Sequence, residues 1–418
     1  MKKSKSYFIV LLFLFLGCSK SKITPSENDD YNLVGTTPID NTVMKKMEGI
    51  YKLTSGSESL GSQFVCKTSK SRVSFFSNQN GIFIILKYGY KASDGSIQFS
   101  GFWRYSETAD QGAFHGSISD AEGASDLLNG IVDGLKLSGT IPDDSLTIQY
   151  DHAFSAYTTA NPFLIFGHHG VQTTSNPPYA ENSINGVLND ENYGCNALEF
   201  DVRLTSDGVP ICIHDPIINT RLTEKGPLSG DWDQYPFSLI EQYIRLIDGQ
   251  KVPSAEQVLD AFIDSTTMKY FWMDVKGNTD VFKYLEPVVR NAYARAEAEG
   301  RDVVIFAGLP SDDVIDELNS QPTYKSTNTA YPYSLPLPTL AEESLDKALQ
   351  TKSQFFGPRY SLGLLLDDVE NAHSNGIKVI SWTLNSSQLI SEYLQNGKFD
   401  GFITDYPAYV VYDYYTMF

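Results

Sequence analysis

Positive charge is scarce in this 418-residue chain: 32 lysines and arginines stand against 51 aspartates and glutamates, a formal net charge of -19. So acidic a chain is a poor partner for nucleic acid or for an anionic membrane surface, although an anionic substrate held by a bound metal is not excluded. Cysteine is scarcer still, with four in all, too few for a disulfide scaffold. With Cys18 set apart, Cys66, Cys195 and Cys212 are an odd number, so at least one buried thiol is expected. There is no Gly-rich loop of the P-loop or dinucleotide type, and the later part of the chain has no Ser-His-Asp motif. Past the first residues no segment is long and apolar enough to span a bilayer.

The first residues form a basic n-region, with Lys2, Lys3 and Lys5, followed by YFIVLLFLFLG, too short to be a good span. The run ends in LFLGC, which resembles the lipobox of bacterial lipoproteins, with cleavage before Cys18 and lipid on its thiol. On that resemblance residues 1–17 are a signal peptide. Residues 18–43, polar and rich in Ser, Asn, Asp and Pro, are then a flexible tether. Lipidation implies a protein anchored to a membrane of the bacterial cell envelope, not spanning it. Ser19 suits outer-membrane sorting, on the periplasmic face.

Residues 44–155 are β-rich. EGIYKL, QFVCKTS, RVSFFS, GIFIILKYGYKA, SIQFSGFWRYS, LKLSGTI and SLTIQYD read as short strands between polar turns, with one helix near ASDLLNGIVDGL. An antiparallel sandwich or small barrel is expected, without a catalytic cluster. Residues 156–418 change rhythm. FLIFGHHG, ALEFDVRL, YFWMDVKG, VVIFAG, TNTAYPYSL, SQFFGPRY, KVISWTLN and FDGFITDYP alternate with helical runs such as SAEQVLDAFIDS and SSQLISEYLQNG. Eight such strands predict an α/β fold, a C-terminal (β/α)8 TIM barrel with function at the strands' C-terminal ends. A doubly wound sheet is the alternative.

Unusual residues gather at those ends. ALEFDVRLTSDGVPICIHD reads as a hairpin whose Asp207-Gly208 turn places Asp201 opposite His214. Alternation then puts Glu199, Asp201 and His214 on one face. His168 and His169 end the first strand, and Asp274 and Lys276 share a face of the third. Carboxylates at one mouth suit a hard cation, and imidazoles beside them suit proton transfer.

The ordered set resembles the glycerophosphodiester phosphodiesterase family from Leu164 to Pro407. His168 through Ala180-Glu181-Asn182-Ser183 stands for its HRGxxxxxPENT stretch, and Gly194 to Asp215 follows GAxxxExDVxxTxDGxxVxxHD closely. VPSAEQVL, Asp274 with Lys276, WTLN and GFITDYP match the later motifs. The resemblance implies hydrolysis of a glycerophosphodiester to glycerol 3-phosphate and an alcohol. It assigns one divalent cation, Ca²⁺ or Mg²⁺, to Glu199, Asp201 and Asp274, with His168 and His214 as general acid and base. Lys276, Arg359, Trp382 and Asn385 are expected to meet phosphate or substrate. Two positions depart from the family: His169 replaces its Arg, leaving phosphate binding to His169, Arg203 or Arg359, and Asp274 is shorter than its Glu. Glu181 is expected to orient the first loop or cap a helix, and Asp405 to fix the last loop. A small phosphodiester is the expected partner, beside the membrane of the anchor and without nucleic acid. Alternatives are a lysophospholipase D or sphingolipid-type hydrolase, and an inactive lipoprotein binding a glycan or lipid head group.

Overall fold

Alternation along the first eight strands closes them into an antiparallel barrel, so barrel rather than sandwich is the outcome. These are β1 (Gly49–Ser55), β2 (Gln63–Thr68), β3 (Val73–Phe76), β4 (Ile82–Lys91), β5 (Ser96–Tyr105), β6 (Gln111–Ile118), β7 (Lys136–Ile141) and β8 (Asp144–His152), with β8 returning to pair with β1. The computed structural model describes residues 30–418 except 109, 142–143, 171–178, 278–279, 321–337 and 343. Cys18 lies outside the described residues. The barrel is filled by its own side chains, among them Phe64, Phe75, Phe99 and Phe114, and holds a core, not a ligand.

β6 escaped the sequence reading because QGAFHGSI has weak strand propensity. Its glycine has a packing reason. Gly116 pairs with Gly139 of β7, and a Cβ on either would meet the Phe114 ring, at 2.7 and 2.2 Å. β4 reads as a continuous apolar run because both of its faces are covered. Ile82, Ile84 and Leu86 point into the first barrel, while Phe83 and Ile85 belong to the core of the second domain.

The second domain is a closed parallel barrel of β9 (Leu164–His168), β10 (Ala197–Leu204), β14 (Tyr270–Val275), β15 (Val304–Leu309), β16 (Thr339–Ala341), β17 (Phe355–Phe356), β18 (Lys378–Ser381) and β19 (Gly401–Thr404). β19 pairs with β9 and closes the ring, which rules out the doubly wound alternative. β11 (Pro210–Cys212) turns back along β10, and β12 (Ile217–Ile218) with β13 (Gly230–Asp231) forms a small hairpin beside it. Phe166, Trp272, Phe306, Leu340, Phe355 and Ile380 fill the barrel. The expected fifth strand, TNTAYPYSL, lies outside the described residues, and the fifth strand found is Thr339–Ala341.

Helices cover the ring as the sequence pattern requires. Ser254 and Gln257 form a capping box on the helix Ala255–Ser265, whose Val258, Leu259 and Phe262 face inward. The helix Pro407–Met417 packs on β2 and β3 of the first barrel. Phe83 meets Tyr193 edge-on at 5.2 Å, and Ser74 donates to the Asn192 carbonyl at 2.7 Å. The two barrels thus share one apolar seam. Cys66, Cys195 and Cys212 are all free and buried. Among the described residues no helix is long and apolar enough to cross a membrane.

Candidate active site

Inward positions at the C-terminal ends of β9, β10 and β14 carry the polar residues, because strand parity places them directly above the apolar layers. Glu199 and Asp201 are 2% and 0% exposed, and the β10–β14 register sets Asp201 beside Asp274. After His168 the chain turns sharply, with His169 at φ 56° and Gly170 at φ 70°. That turn lays the His169 ring inward. Its Nδ1 stands 2.5 Å from Asp201 Oδ2, and its backbone N–H donates to Glu199 Oε2 at 3.0 Å. Asn182 clamps the same acid: its Nδ2 donates to Asp201 Oδ2 at 2.6 Å, and its Oδ1 accepts from the Asp201 N–H at 2.9 Å. Lys276 Nζ lies 2.5 Å from Asp274 Oδ2 and 3.1 Å from Asp201 Oδ1.

Charge follows from this packing. Burial opposes ionisation of Asp201, but the His169 charge and hydrogen bond, with Lys276, outweigh it and hold the carboxyl well below the usual range. For His169 burial favours the neutral ring, yet Asp201 and Glu199 prevail and push it up to about 10. Burial raises the carboxyls of Glu199 and Asp274.

Two further imidazoles flank the acids. The His168 ring lies 3.7 Å from that of His169, and the His214 ring 5.1 Å from it at 90°. Each uses Nδ1 on a carboxylate, which leaves Nε2 toward the mouth. His168 Nδ1 is 2.7 Å from Asp405 Oδ1, and Asn385 Nδ2 donates to Asp405 Oδ2 at 2.6 Å. His214 Nδ1 is 2.8 Å from Asp215 Oδ1. Arg221 secures Asp215 through Nε and Nη2 and makes a two-point pair with Glu181, at 2.8 and 2.9 Å. Burial and the His169 charge lower the His168 pKa, against the raising effect of Asp405.

Several expectations need correction. The hairpin is offset by one residue: Val202 pairs with Cys212 and Leu204 with Pro210, so Ile213, not His214, follows in line opposite Asp201. The turn holds three residues rather than two, because Thr205 closes on Val209 and only Gly208 takes a positive φ. His214 reaches the mouth since β11 stops at Cys212 and Arg203 Nε takes the His214 carbonyl at 2.8 Å. Arg203 is thereby tied to backbone. Asn385 is held by Asp405 at both ends of its amide. His169 is engaged by Asp201 rather than held out for phosphate, and Lys276 is paired with two acids. Trp382 donates to the Gly357 carbonyl at 2.6 Å, and its ring supports the exposed Arg359 guanidinium at 4.6 Å. Glu181 caps no helix; Ser183 does that.

The sequence reading missed Asn182, Arg221 and Glu342, and gave Asp405 too small a part. Glu342 follows β16 at the same mouth, where burial, then the Asp274 charge, pushes its carboxyl well up. Its strand, Thr339–Ala341, lies past the segment TNTAYPYSL that the sequence pattern offers as the fifth.

The acids suit a cation. Glu199, Asp201 and Asp274 each offer an oxygen within 4.8 Å of the others, and Glu199 Oε1 is buried without a hydrogen-bond partner among the described residues. Three carboxylate oxygens of this kind fit a hard divalent ion.

Comparison with known proteins finds relatives of the second domain. The model of the glycerophosphoryl diester phosphodiesterase family matches residues 168–409, leaving the N-terminal barrel outside the match. A glycerophosphodiester phosphodiesterase of Caldanaerobacter subterraneus subsp. tengcongensis is 23% identical over 251 residues, 59% of this chain and 96% of that protein. Among solved structures, an Oleispira antarctica phosphodiesterase in complex with the product sn-glycerol-3-phosphate is 16% identical, covers 60% of this chain and 96% of its own, and superposes with TM-score 0.46. A Parabacteroides distasonis glycerophosphodiester phosphodiesterase is 19% identical, with 58% and 93% covered and TM-score 0.45.

Proposed function

The chain belongs to the glycerophosphoryl diester phosphodiesterase family and is a phosphoric diester hydrolase, and from that premise we propose that it cleaves glycerophosphodiesters to glycerol 3-phosphate and an alcohol, with His168 and His214 as the proton carriers and a divalent cation, Ca²⁺ or Mg²⁺, on Glu199, Asp201 and Asp274. The observation that carries this reading is the symmetry of the two imidazoles. Each has a carboxylate on Nδ1, at 2.7 and 2.8 Å, and both flank the acid triad.

The cation, when bound, supplies positive charge for the crowded negative charge that develops at phosphorus. The chain's own residues do the rest. The glycerol hydroxyl next to the phosphate attacks phosphorus and loses its proton to the Nε2 of one imidazole, the bond from phosphorus to the departing alcohol oxygen breaks, and the other imidazole gives a proton to that oxygen; water then opens the cyclic phosphate to glycerol 3-phosphate. Asp405 and Asp215 keep a proton on Nδ1 and so hold Nε2 ready. Arg359, exposed on the Trp382 ring, is a cation placed to meet a phosphoryl oxygen from outside. Intact pairs on both histidines speak against the inactive binding protein.

A second reading concerns substrate. The loop after β17 and the helix that follows it expose Tyr360, Leu362 and Leu366, which are 39%, 56% and 42% accessible. Such a lip favours a lysophospholipase D-type reaction on an acyl-bearing diester. Lipidation at Cys18 and residence in the bacterial cell envelope, with the enzyme held at a membrane by that anchor, belong to the same proposal.

The test is glycerol 3-phosphate release from glycerophosphocholine by the wild type and His214→Ala, each with Ca²⁺, Mg²⁺ or EDTA. Turnover that requires both metal and His214 is expected. Metal-independent turnover, or full activity without His214, would refute the mechanism. On lysophosphatidylcholine, Leu362→Asp should lower the rate while sparing glycerophosphocholine if the lip guides an acyl chain.

A further inference from the structure

Among the carboxylates at inward positions of the barrel mouth, the proposed chemistry leaves Glu342, after β16, without a part. We propose that Glu342 and the indole N–H of Trp272 form a hydroxyl-binding subsite above Gly308, which selects phosphodiesters whose phosphate-bearing alcohol carries a second free hydroxyl. The inference rests on the phosphodiesterase reading and deepens it by naming what the substrate must offer, which favours deacylated diesters over the acyl-bearing ones of the second reading.

The geometry centres on β15. Gly308 pairs with Leu340 of β16 and points into the barrel. A Cβ at that residue would stand 2.7 Å from Glu342 Oε1, 2.9 Å from Trp272 Nε1 and 3.5 Å from Asp274 Oδ1. Glycine is therefore what permits a donor and an acceptor to converge at this spot. Both atoms are shielded from solvent and lack a hydrogen-bond partner among the described residues. Trp272 is 1% exposed, so its N–H has no recourse to bulk water, whereas Glu342 is only partly buried and borders the open mouth. A buried donor left unpaired beside a buried acceptor left unpaired is a costly combination in a native core.

Chemistry narrows what can satisfy both. A second cation would meet Glu342 and Asp274 but would face the indole N–H. An anion would accept from the indole but oppose two carboxylates. An apolar group would leave both orphaned. A neutral hydroxyl donates to Glu342 and accepts from Trp272 with the same oxygen. A glycerol phosphodiester has two hydroxyls, so one remains for this subsite while the other lies near phosphorus.

The test is calorimetric binding of glycerol 3-phosphate and of 2-hydroxyethyl phosphate, which lacks the extra hydroxyl, to the metal-loaded wild type, Trp272→Phe and Gly308→Ala. Sites that hydrogen-bond a ligand hydroxyl reject the analogue lacking it, so the wild type should prefer glycerol 3-phosphate by about tenfold or more. Trp272→Phe removes only the donor, and Gly308→Ala presses a methyl against both polar atoms; each should bring the preference below about threefold. Glu342→Gln serves if either variant fails to fold by near-ultraviolet circular dichroism. Equal affinity of the wild type for the two ligands, binding of neither, or a preference unchanged in every folded variant overturns the subsite and leaves those atoms to an ordered water. A wild type that shows the preference yet hydrolyses no glycerophosphodiester sinks the phosphodiesterase reading alone.

Discussion

Replacing Asp405 by Asn changes one atom, and the structure says which way that atom must face. Asn385 Nδ2 donates to Asp405 Oδ2 at 2.6 Å, and Asn385 cannot flip because its Oδ1 accepts the Asp405 N–H at 2.8 Å. In Asp405→Asn the carbonyl oxygen must therefore stay toward Asn385. The new NH2 then faces His168 Nδ1, where the carboxylate had stood at 2.7 Å. Nδ1 is forced to accept, its proton moves to Nε2, and the nitrogen offered to substrate has the wrong role. Loss of a hydrogen bond to a charged group is worth about 1.5–3 kcal/mol. Wrong-tautomer histidine adds to that, so kcat should fall by about 10²–10⁴ with the melting temperature nearly unchanged. Because Asp405 raises the His168 pKa against burial and the His169 charge, its loss also moves the His168 limb of the pH–rate profile to lower pH. The double variant Asp405→Asn, Asn385→Asp supplies its own control. An Asp at 385 accepts from the new NH2, turns the carbonyl back to His168, and should recover at least about tenfold. Initial rates of glycerol 3-phosphate release from pH 5 to 9 decide the matter. A single variant within about threefold of wild type, or a double variant no better than the single, refutes the reasoning.

Arg221→Met takes the guanidinium from Asp215 and from Glu181, whose side chain is 9% exposed; kcat should drop about tenfold and stability by about 1–3 kcal/mol, with stability recovered in Glu181→Gln, Arg221→Met, and unchanged denaturant midpoints count against it. Phe83→Ala empties a 1%-exposed position in the seam between the barrels and should cost about 3–5 kcal/mol in urea unfolding; a loss below about 1 kcal/mol means the seam is not one core. His169 is pushed up to about 10 in the fold, above its unfolded value of about 6.5. Its stabilisation is thus complete below pH 6.5 and lost as pH climbs through 10. In metal-free protein the melting-temperature gap between wild type and His169→Gln should shrink from pH 7 to 10, and a constant gap contradicts the ion pair.

Much of this was legible because strand parity is a local property. Glu199, Asp201 and Asp274 could be placed on the inner face from alternation alone, and the buried run YFWMDV announced a parallel strand. The hairpin misled because its Asp-Gly dipeptide was read as the entire turn, whereas the Thr205 hydroxyl, bonded to Asp207 and Val209, adds a residue to it. Position 342 carries no such signal, because the strand before it is only Thr339–Ala341 and TNTAYPYSL has the stronger strand pattern. The grip of Asn385 on Asp405 and of Asp405 on His168 joins residues 20 and 237 positions apart, which no local pattern encodes. β6 failed for the opposite reason: its glycines weaken the local signal so that Phe114 can fit.

The seam between the barrels bears on how the chain is made. The helix that covers β2 and β3 is reached only at Pro407, and Lys67 finds the Tyr415 hydroxyl 348 residues further along. While a ribosome synthesises the intervening chain, a finished first barrel presents Phe76, Phe83 and Ile85 to solvent on its outer wall. Nascent chains stalled before the final helix are therefore the form in which this protein is most prone to clump and most dependent on chaperones.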